Sequence, residues 1–338
     1  MHLTNFSPSL NPSFSHIYVE TKAKNHPKTL EILKRFSNAT IIEVSHYKDV
    51  FNAKGQNFRA QKQTPKLILA LKEEPFLYEG SQYADGFGFE QFYYTPTMLN
   101  CLYDCDYCYL QGMYQSANMV VYVNREDFMQ ATLPYLDKPM LVCTSYDTDL
   151  LAVEKLIGEN RDWINFAKDH PNLNLELRTK SANFEAIADL TPSEQIVIAW
   201  TISPQEIIDQ YESKTPPLAK RIASIKKAID LGWQVRICLD PVIYTPDFDT
   251  IYPAFIDELF SLIEAEKVFE VTLGTFRMSS PHLKAIKKME HTDLAFYPYE
   301  VKDQMATYEA SIETKVLDTL EKKVLVYLPK ERLRLWST

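Results

Sequence analysis

"CLYDCDYCYL", residues 101–110, places three cysteines within eight positions, Cys101, Cys105 and Cys108, with tyrosines and aspartates threaded between them. The chain has only five cysteines in 338 residues, so this crowding calls for a chemical reason. An odd, clustered set makes a poor disulfide framework and points to metal or redox chemistry in a reducing compartment. Thiolates are soft ligands suited to zinc, copper(I) or iron–sulfur clusters. A structural zinc closes with four ligands. Here no second cysteine pair follows, and the nearest histidines, His46 and His170, are far off in sequence. Three cysteines can instead hold three irons of a cubane, which leaves the fourth iron open to an outside ligand.

Beyond the loop, 46% hydrophobic and 12% aromatic content supplies ample core for one large α/β barrel or two ordinary domains. No run of 18 or more apolar residues occurs, and "MHLTNFSPSLNPSF" at the N-terminus lacks the pattern of a signal peptide. The expectation is a soluble, cytoplasmic protein with no membrane partner. The formal charge of −9 does not announce a nucleic-acid partner. Local basic groups exist in Lys54, Arg59, Lys62 and Lys66, and in Lys284, Lys287 and Lys288. They read first as solvated faces and second as contacts for DNA. Eight glycines are spread along the chain without G-x-G-x-x-G or a Walker loop, so no glycine-rich phosphate cradle is available.

From about residue 119, short β-rich runs alternate with helical patterns. Strands are expected at 119–124, 139–145, 173–181, 195–203, 233–243 and 268–276, with helices in "LAVEKLIGENRDWINFAKDH" and "PPLAKRIASIKKAIDLG". Continuous apolar strands alternating with helices mean parallel strands covered from outside. The fold class is therefore α/β, a full or partial (β/α) barrel, with a doubly wound open sheet as runner-up. Residues 1–90 read as a small N-terminal α/β extension with a helix near "KTLEILKRF" and a strand near "PKLILALK". Residues 91–300 read as the barrel, and 301–338 as a closing helix and strand.

In such barrels the reactive side chains stand at the C-terminal ends of strands. Those ends carry Cys143, Thr144 and Ser145, then Lys180, Thr201 and Ser203, Asp240 and Arg277. Strand ends turn polar in any case on reaching water, but solvation does not call for the thiol of Cys143.

The C-x3-C-x2-C spacing, with an aromatic residue, Tyr107, before the third cysteine, resembles the cluster loop of radical S-adenosylmethionine enzymes. Within that superfamily the chain resembles the spore photoproduct lyase family. The likeness is carried by "CDYCYLQG", "VYVN" (121–124), "CTSYDTD", "LRTKSANF", the stretch from "TISPQEIIDQ" to "CLDPVI", and "HIYVETKAKNHPKTLEIL", in collinear order over most of the chain.

The resemblance implies a partial (β/α)6 TIM-like barrel of the radical SAM type. It implies a [4Fe-4S] cluster on Cys101, Cys105 and Cys108, and S-adenosyl-L-methionine chelating the open iron and held by Ser145, Lys180 and Thr201. The implied reaction is repair of 5-thyminyl-5,6-dihydrothymine in ultraviolet-damaged DNA, on a base flipped from the duplex. A 5′-deoxyadenosyl radical takes hydrogen from C6, the methylene bridge breaks, and Cys143 donates hydrogen to the thymine methyl radical. Tyr107 and Tyr109 then reduce the thiyl radical. A reductant such as flavodoxin or ferredoxin is implied as well.

Three departures from the family pattern stand out: Asn100 where glycine precedes the first cysteine, Asp240 where a small residue ends a strand, and "HTDLAFYPYEVKDQMATY" in place of an Arg-Tyr-Gly segment. Alternative readings are a radical enzyme of the same family acting on a non-DNA molecule, and a metal-binding module without catalysis. Cys238 reads as a small buried hydrophobe. "QFYYTP" reads either as a stacking platform for bases or as packing beneath the loop. His16, His26 and His46 show no ligand spacing.

Overall fold

The computed structural model describes residues 13–81 and 86–336. Residues 1–12, on which most of the leader reading fell, lie outside the described residues.

Eight strands form the main sheet. From one edge they run Leu333–Trp336, Glu270–Thr275, Gln234–Val242, Ile196–Thr201, Leu173–Thr179, Met140–Cys143 and Gln91–Tyr94. Each pairs in parallel with its neighbour. Tyr78–Glu79 adds an antiparallel strand at the other edge. Strand order thus follows chain order, as in a barrel wound in one direction, and the doubly wound alternative falls. Helices Glu159–Lys168, Leu218–Asp230, Phe248–Leu262 and Ala310–Val324 supply apolar stripes to one continuous core that includes Trp163, Ile225, Ile256 and Val316.

A second sheet holds the parallel strands Thr40–Val44, His16–Glu20, Leu67–Ala70 and Met119–Tyr122, with Met98–Leu99 antiparallel at its edge. Its alternation is clear in Leu67–Ala70. Ile68 and Ala70 join the barrel core, while Leu67 and Leu69 pack with Ile17, Val19 and Ile157 in a separate cluster.

Three local findings differ from the sequence expectation. The strand at 119–124, read as the first of the barrel, belongs to this second sheet. An apolar strand buried on both faces fits either sheet, and only its register against Leu67–Ala70 decides. Its place in the barrel is taken by "QFYY", whose half-buried tyrosines hide a strand. Leu333–Trp336, read as part of a closing unit, is itself a strand of the main sheet. The long helix read over 151–170 is broken at Gly158, whose φ of +65° is the left-handed conformation that ends Glu154–Ile157 before Glu159–Lys168 begins.

Candidate active site

The C-terminal ends of the parallel strands open into one cavity of about 530 Å³. Cys143 ends Met140–Cys143, and Ser145 follows two residues later. Lys180 follows Thr179, and Thr201 closes Ile196–Thr201. The cysteine loop lies in the connection after Gln91–Tyr94. Of the residues singled out from sequence, Cys101, Cys105, Cys108, Tyr107, Tyr109, Cys143, Ser145, Lys180, Thr201, Asp240 and Arg277 line this one cavity, whereas Thr144 and Ser203 are not part of its lining.

The loop is anchored on every side. Asp104–Cys105 pairs with Glu212–Ser213 as a short antiparallel ladder. Cys108 donates its N–H to the Cys105 carbonyl at 3.0 Å, and Gln111 donates Nε2 to the same oxygen at 2.7 Å. Lys62, read as part of a basic patch, is buried and donates its ammonium to the Cys101 carbonyl at 2.5 Å. Arg59 of the same patch pairs with Asp104 at 2.7 Å. Half of that patch therefore holds the loop.

Asn100 explains the missing glycine. Its φ is +65°, and its buried amide donates to the carbonyls of Ser116 (2.7 Å) and Asn118 (2.8 Å). Asparagine tolerates this left-handed conformation better than most side chains, and here two hydrogen bonds offset the cost.

All five cysteines carry free thiols. Burial pushes the three loop thiols up, Cys101 to about 12. Among the described residues no three His, Cys, Asp or Glu side chains converge as ligands of one metal ion. A cubane asks for something else: thiolates around a space, each reaching a different iron. Three soft thiols on one wall of a roomy cavity fit that group.

Another part of the lining is ionic. The Cys143 thiol donates to Glu176 Oε1 at 3.5 Å. Glu176 also pairs with Arg178 at 3.1 Å and contacts Arg236, which binds Glu270 at 2.7 Å. Asp240 accepts two bonds from Arg277, at 2.8 and 3.1 Å, and lies 3.7 Å from Arg178. The Asp240 carboxyl therefore stays below its usual range; burial alone would raise it, and Arg277 outweighs that. Gly274 leaves room for this pair: a Cβ there would lie 2.7 Å from Asp240 Oδ1 and 2.9 Å from Arg277 Nη1, so one of them would have to shift.

Tyr107 donates its hydroxyl to Glu212, and Lys180 Nζ sits 5.3 Å from the centre of the Tyr107 ring. Burial opposes the charge on Lys180, but Cys105 and Glu212 hold its pKa above the ordinary value. Tyr109 donates to the Tyr146 carbonyl at 2.7 Å and to Asp147 at 3.1 Å, and its ring stacks on His282. Cys143, Tyr107 and Tyr109 thus share the cavity, although the hydrogen bond of Cys143 among the described residues goes to Glu176 and not to a phenol.

Sequence reading missed Glu176, Arg178, Glu212, Asp147 and His282. For the first two a signal existed: charged residues alternating with the leucines of "LNLELRTKS". Cys238 is fully buried in the core, as expected.

A partial barrel with polar and thiol side chains gathered at its strand C-termini defines an enzyme of the TIM-like α/β class. A family model described as spore photoproduct lyase matches residues 12–317. The chain belongs to the spore photoproduct lyase family. It is 22% identical over 281 residues to the spore photoproduct lyase of Bacillus subtilis, covering 80% of this chain and 81% of that protein. Against the Clostridium acetobutylicum enzyme it is 23% identical over 292 residues, covering 83% and 84%. A spore photoproduct lyase complexed with dinucleoside spore photoproduct superposes with a TM-score of 0.85, at 18% identity over 97% of this chain and 99% of that one. A mutant with bound AdoMet and dinucleoside spore photoproduct gives 0.83 at the same identity and coverage. The fold, a curled half-barrel with a second α/β sheet, is that of these lyases.

Proposed function

We propose that the chain is a radical S-adenosylmethionine lyase that reverses the methylene-bridged thymine dimer 5-thyminyl-5,6-dihydrothymine in DNA. The observation that carries this is the convergence of Cys101, Cys105, Cys108 and Cys143 on one cavity, although Cys143 comes from a different strand connection. Family membership, and the AdoMet and dinucleoside spore photoproduct bound in the similar lyase structures, support the same reading.

Cys101, Cys105 and Cys108 would hold a [4Fe-4S] cluster, and Lys180, Ser145 and Thr201 would bind S-adenosylmethionine. When bound, the two supply a 5′-deoxyadenosyl radical able to remove hydrogen from carbon. The cationic Lys180 suits a carboxylate, and the hydroxyls of Ser145 and Thr201 suit a ribose. Phe87, Phe92 and Phe276 line the same cavity and make part of it apolar, which suits a radical reaction kept from solvent. A base must leave the stack to reach this depth. Once the bridge between the two thymines has broken, Cys143 returns a hydrogen atom to the methyl radical, and Tyr107 and Tyr109 lie within the same cavity to restore the thiol. A small reductant such as flavodoxin or ferredoxin would deliver the electron.

The test is anaerobic reconstitution followed by incubation of the reduced protein with dinucleoside spore photoproduct. Binding of about four irons per chain, with release of thymine dinucleotide, is expected. Cleavage of S-adenosylmethionine without thymine dinucleotide would sink the DNA assignment, and absence of iron binding would sink the radical chemistry.

A further inference from the structure

The Cys143–Glu176 contact carries an inference that rests on the proposed hydrogen-return step. A carboxylate inside a barrel is costly unless it is compensated. Glu176 is only 2% exposed, and it sits where its neighbours on the strand alternate with apolar residues. Two guanidiniums compensate it. Arg178 binds the same oxygen that faces Cys143, and Arg236 binds the other. Phe87 covers Arg236 with its ring centre 3.4 Å from the guanidinium carbon. The carboxylate is thus fixed, and one of its oxygens is aimed at the thiol.

We propose that Glu176 is a positioning residue that holds Cys143 as the protonated thiol the reaction needs. In the return step the S–H bond breaks homolytically and the hydrogen atom, with one electron, forms a C–H bond on the substrate radical, leaving a sulfur radical. A thiolate has no hydrogen to give, so a thiol placed for this step must keep its proton. The charged and titratable groups around Cys143 are Glu176 and Arg178 from the neighbouring strand, Arg236 from the strand Gln234–Val242, and Tyr146 from the loop that follows. Tyr94 lies opposite Cys143 in the register of the adjoining strand. Arg178 and Arg236 favour a thiolate; burial and Glu176 oppose it and win, so the thiol stands above its ordinary range. Burial is the larger of the two effects; without the Glu176 charge it would stand alone against the two arginines, and the thiol would give up its proton more readily. This arrangement is opposite to that of a nucleophilic cysteine, which sits in an electropositive setting that favours thiolate.

The test uses the reconstituted holoprotein. The rate of Cys143 alkylation by iodoacetamide is followed against pH, with the modified residue located by mass spectrometry, for the native chain, Glu176→Gln and Glu176→Asp. Glu176→Gln should alkylate at least about tenfold faster at pH 8, the equivalent of one pH unit in the thiol midpoint. Glu176→Asp, which keeps the charge for the arginines but draws it back from the sulfur, should shift the same way by less. With dinucleoside spore photoproduct, both should divert substrate radical from thymine dinucleotide to side products. An unchanged alkylation profile in Glu176→Gln overturns the inference; if that variant does not fold, an unchanged profile in Glu176→Asp does so. Alkylation needs no lesion substrate, so a native chain that fails to repair sinks the functional reading alone.

Discussion

Glu212 and Arg221 meet at 2.5 Å with both side chains out of reach of solvent, and Glu212 also accepts the Tyr107 hydroxyl. Since Glu212 pairs with Cys105 in the short ladder, one buried ion pair ties the cysteine loop to the barrel. The Glu212 carboxyl lies below the ordinary range: burial alone would raise it, and Arg221 followed by Lys180 outweighs that. A carboxyl depressed in the folded state contributes its stability in full above its unfolded pKa of about 4.3, and loses it as pH falls through the lower folded value. The part of the urea midpoint that Glu212 supplies, read as the difference between the native chain and Glu212→Gln, should therefore shrink as pH drops below about 5. Glu212→Gln should lose about 3 kcal/mol at pH 7, because Arg221 is left buried beside a neutral partner, and should show a flatter midpoint in the acid window. Equal slopes for the two chains would count against this account.

Lys180 stands over the Tyr107 ring with its backbone N–H on Asp149 at 2.7 Å, so its position is fixed from both ends. Lys180→Ala should weaken S-adenosylmethionine binding by about tenfold or more, the value of one charge-assisted hydrogen bond. Equilibrium dialysis on the reconstituted protein checks this. Iron content should stay unchanged, since Lys180 supplies no thiolate.

Cys143→Ala should still break the bridged dimer but send the substrate radical to side products and lose turnover. The product ratio measured by chromatography decides. Product purity equal to that of the native chain would remove Cys143 from the hydrogen-return step.

Asp240→Ala should cost about 3 kcal/mol in chemical denaturation, because it removes the carboxylate that binds Arg277 twice and faces Arg178. Gly274→Ala should destabilise through the same pair, since the new methyl would fall 2.7 Å from Asp240 Oδ1. In the double variant the two losses should fall short of additive, because the first substitution removes the nearest atom that the second strikes and frees Arg277, the other, to move.

The local features were legible because their causes are local. Cys101, Cys105 and Cys108 lie within one loop, so their spacing marks them as the proposed ligand set without knowledge of the fold. Cys143, Ser145, Lys180 and Thr201 each follow an apolar run, and a parallel strand ending in polar residues marks its reactive end whichever sheet it joins. What the sequence could not assign was partnership across the sheet. Met119–Tyr122 has the same apolar pattern as a barrel strand, and only pairing with Leu67–Ala70 puts it in the other sheet. Glu176 lies 33 positions from Cys143, and Glu212 lies 105 positions from Tyr107. Lys62 looked like a solvated charge until the fold buried its ammonium on the Cys101 carbonyl, 39 positions away. The chain alone determined which residues could do the chemistry. The stacking of parallel strands side by side decided which charges face them, because it makes neighbours of residues that sequence distance keeps apart.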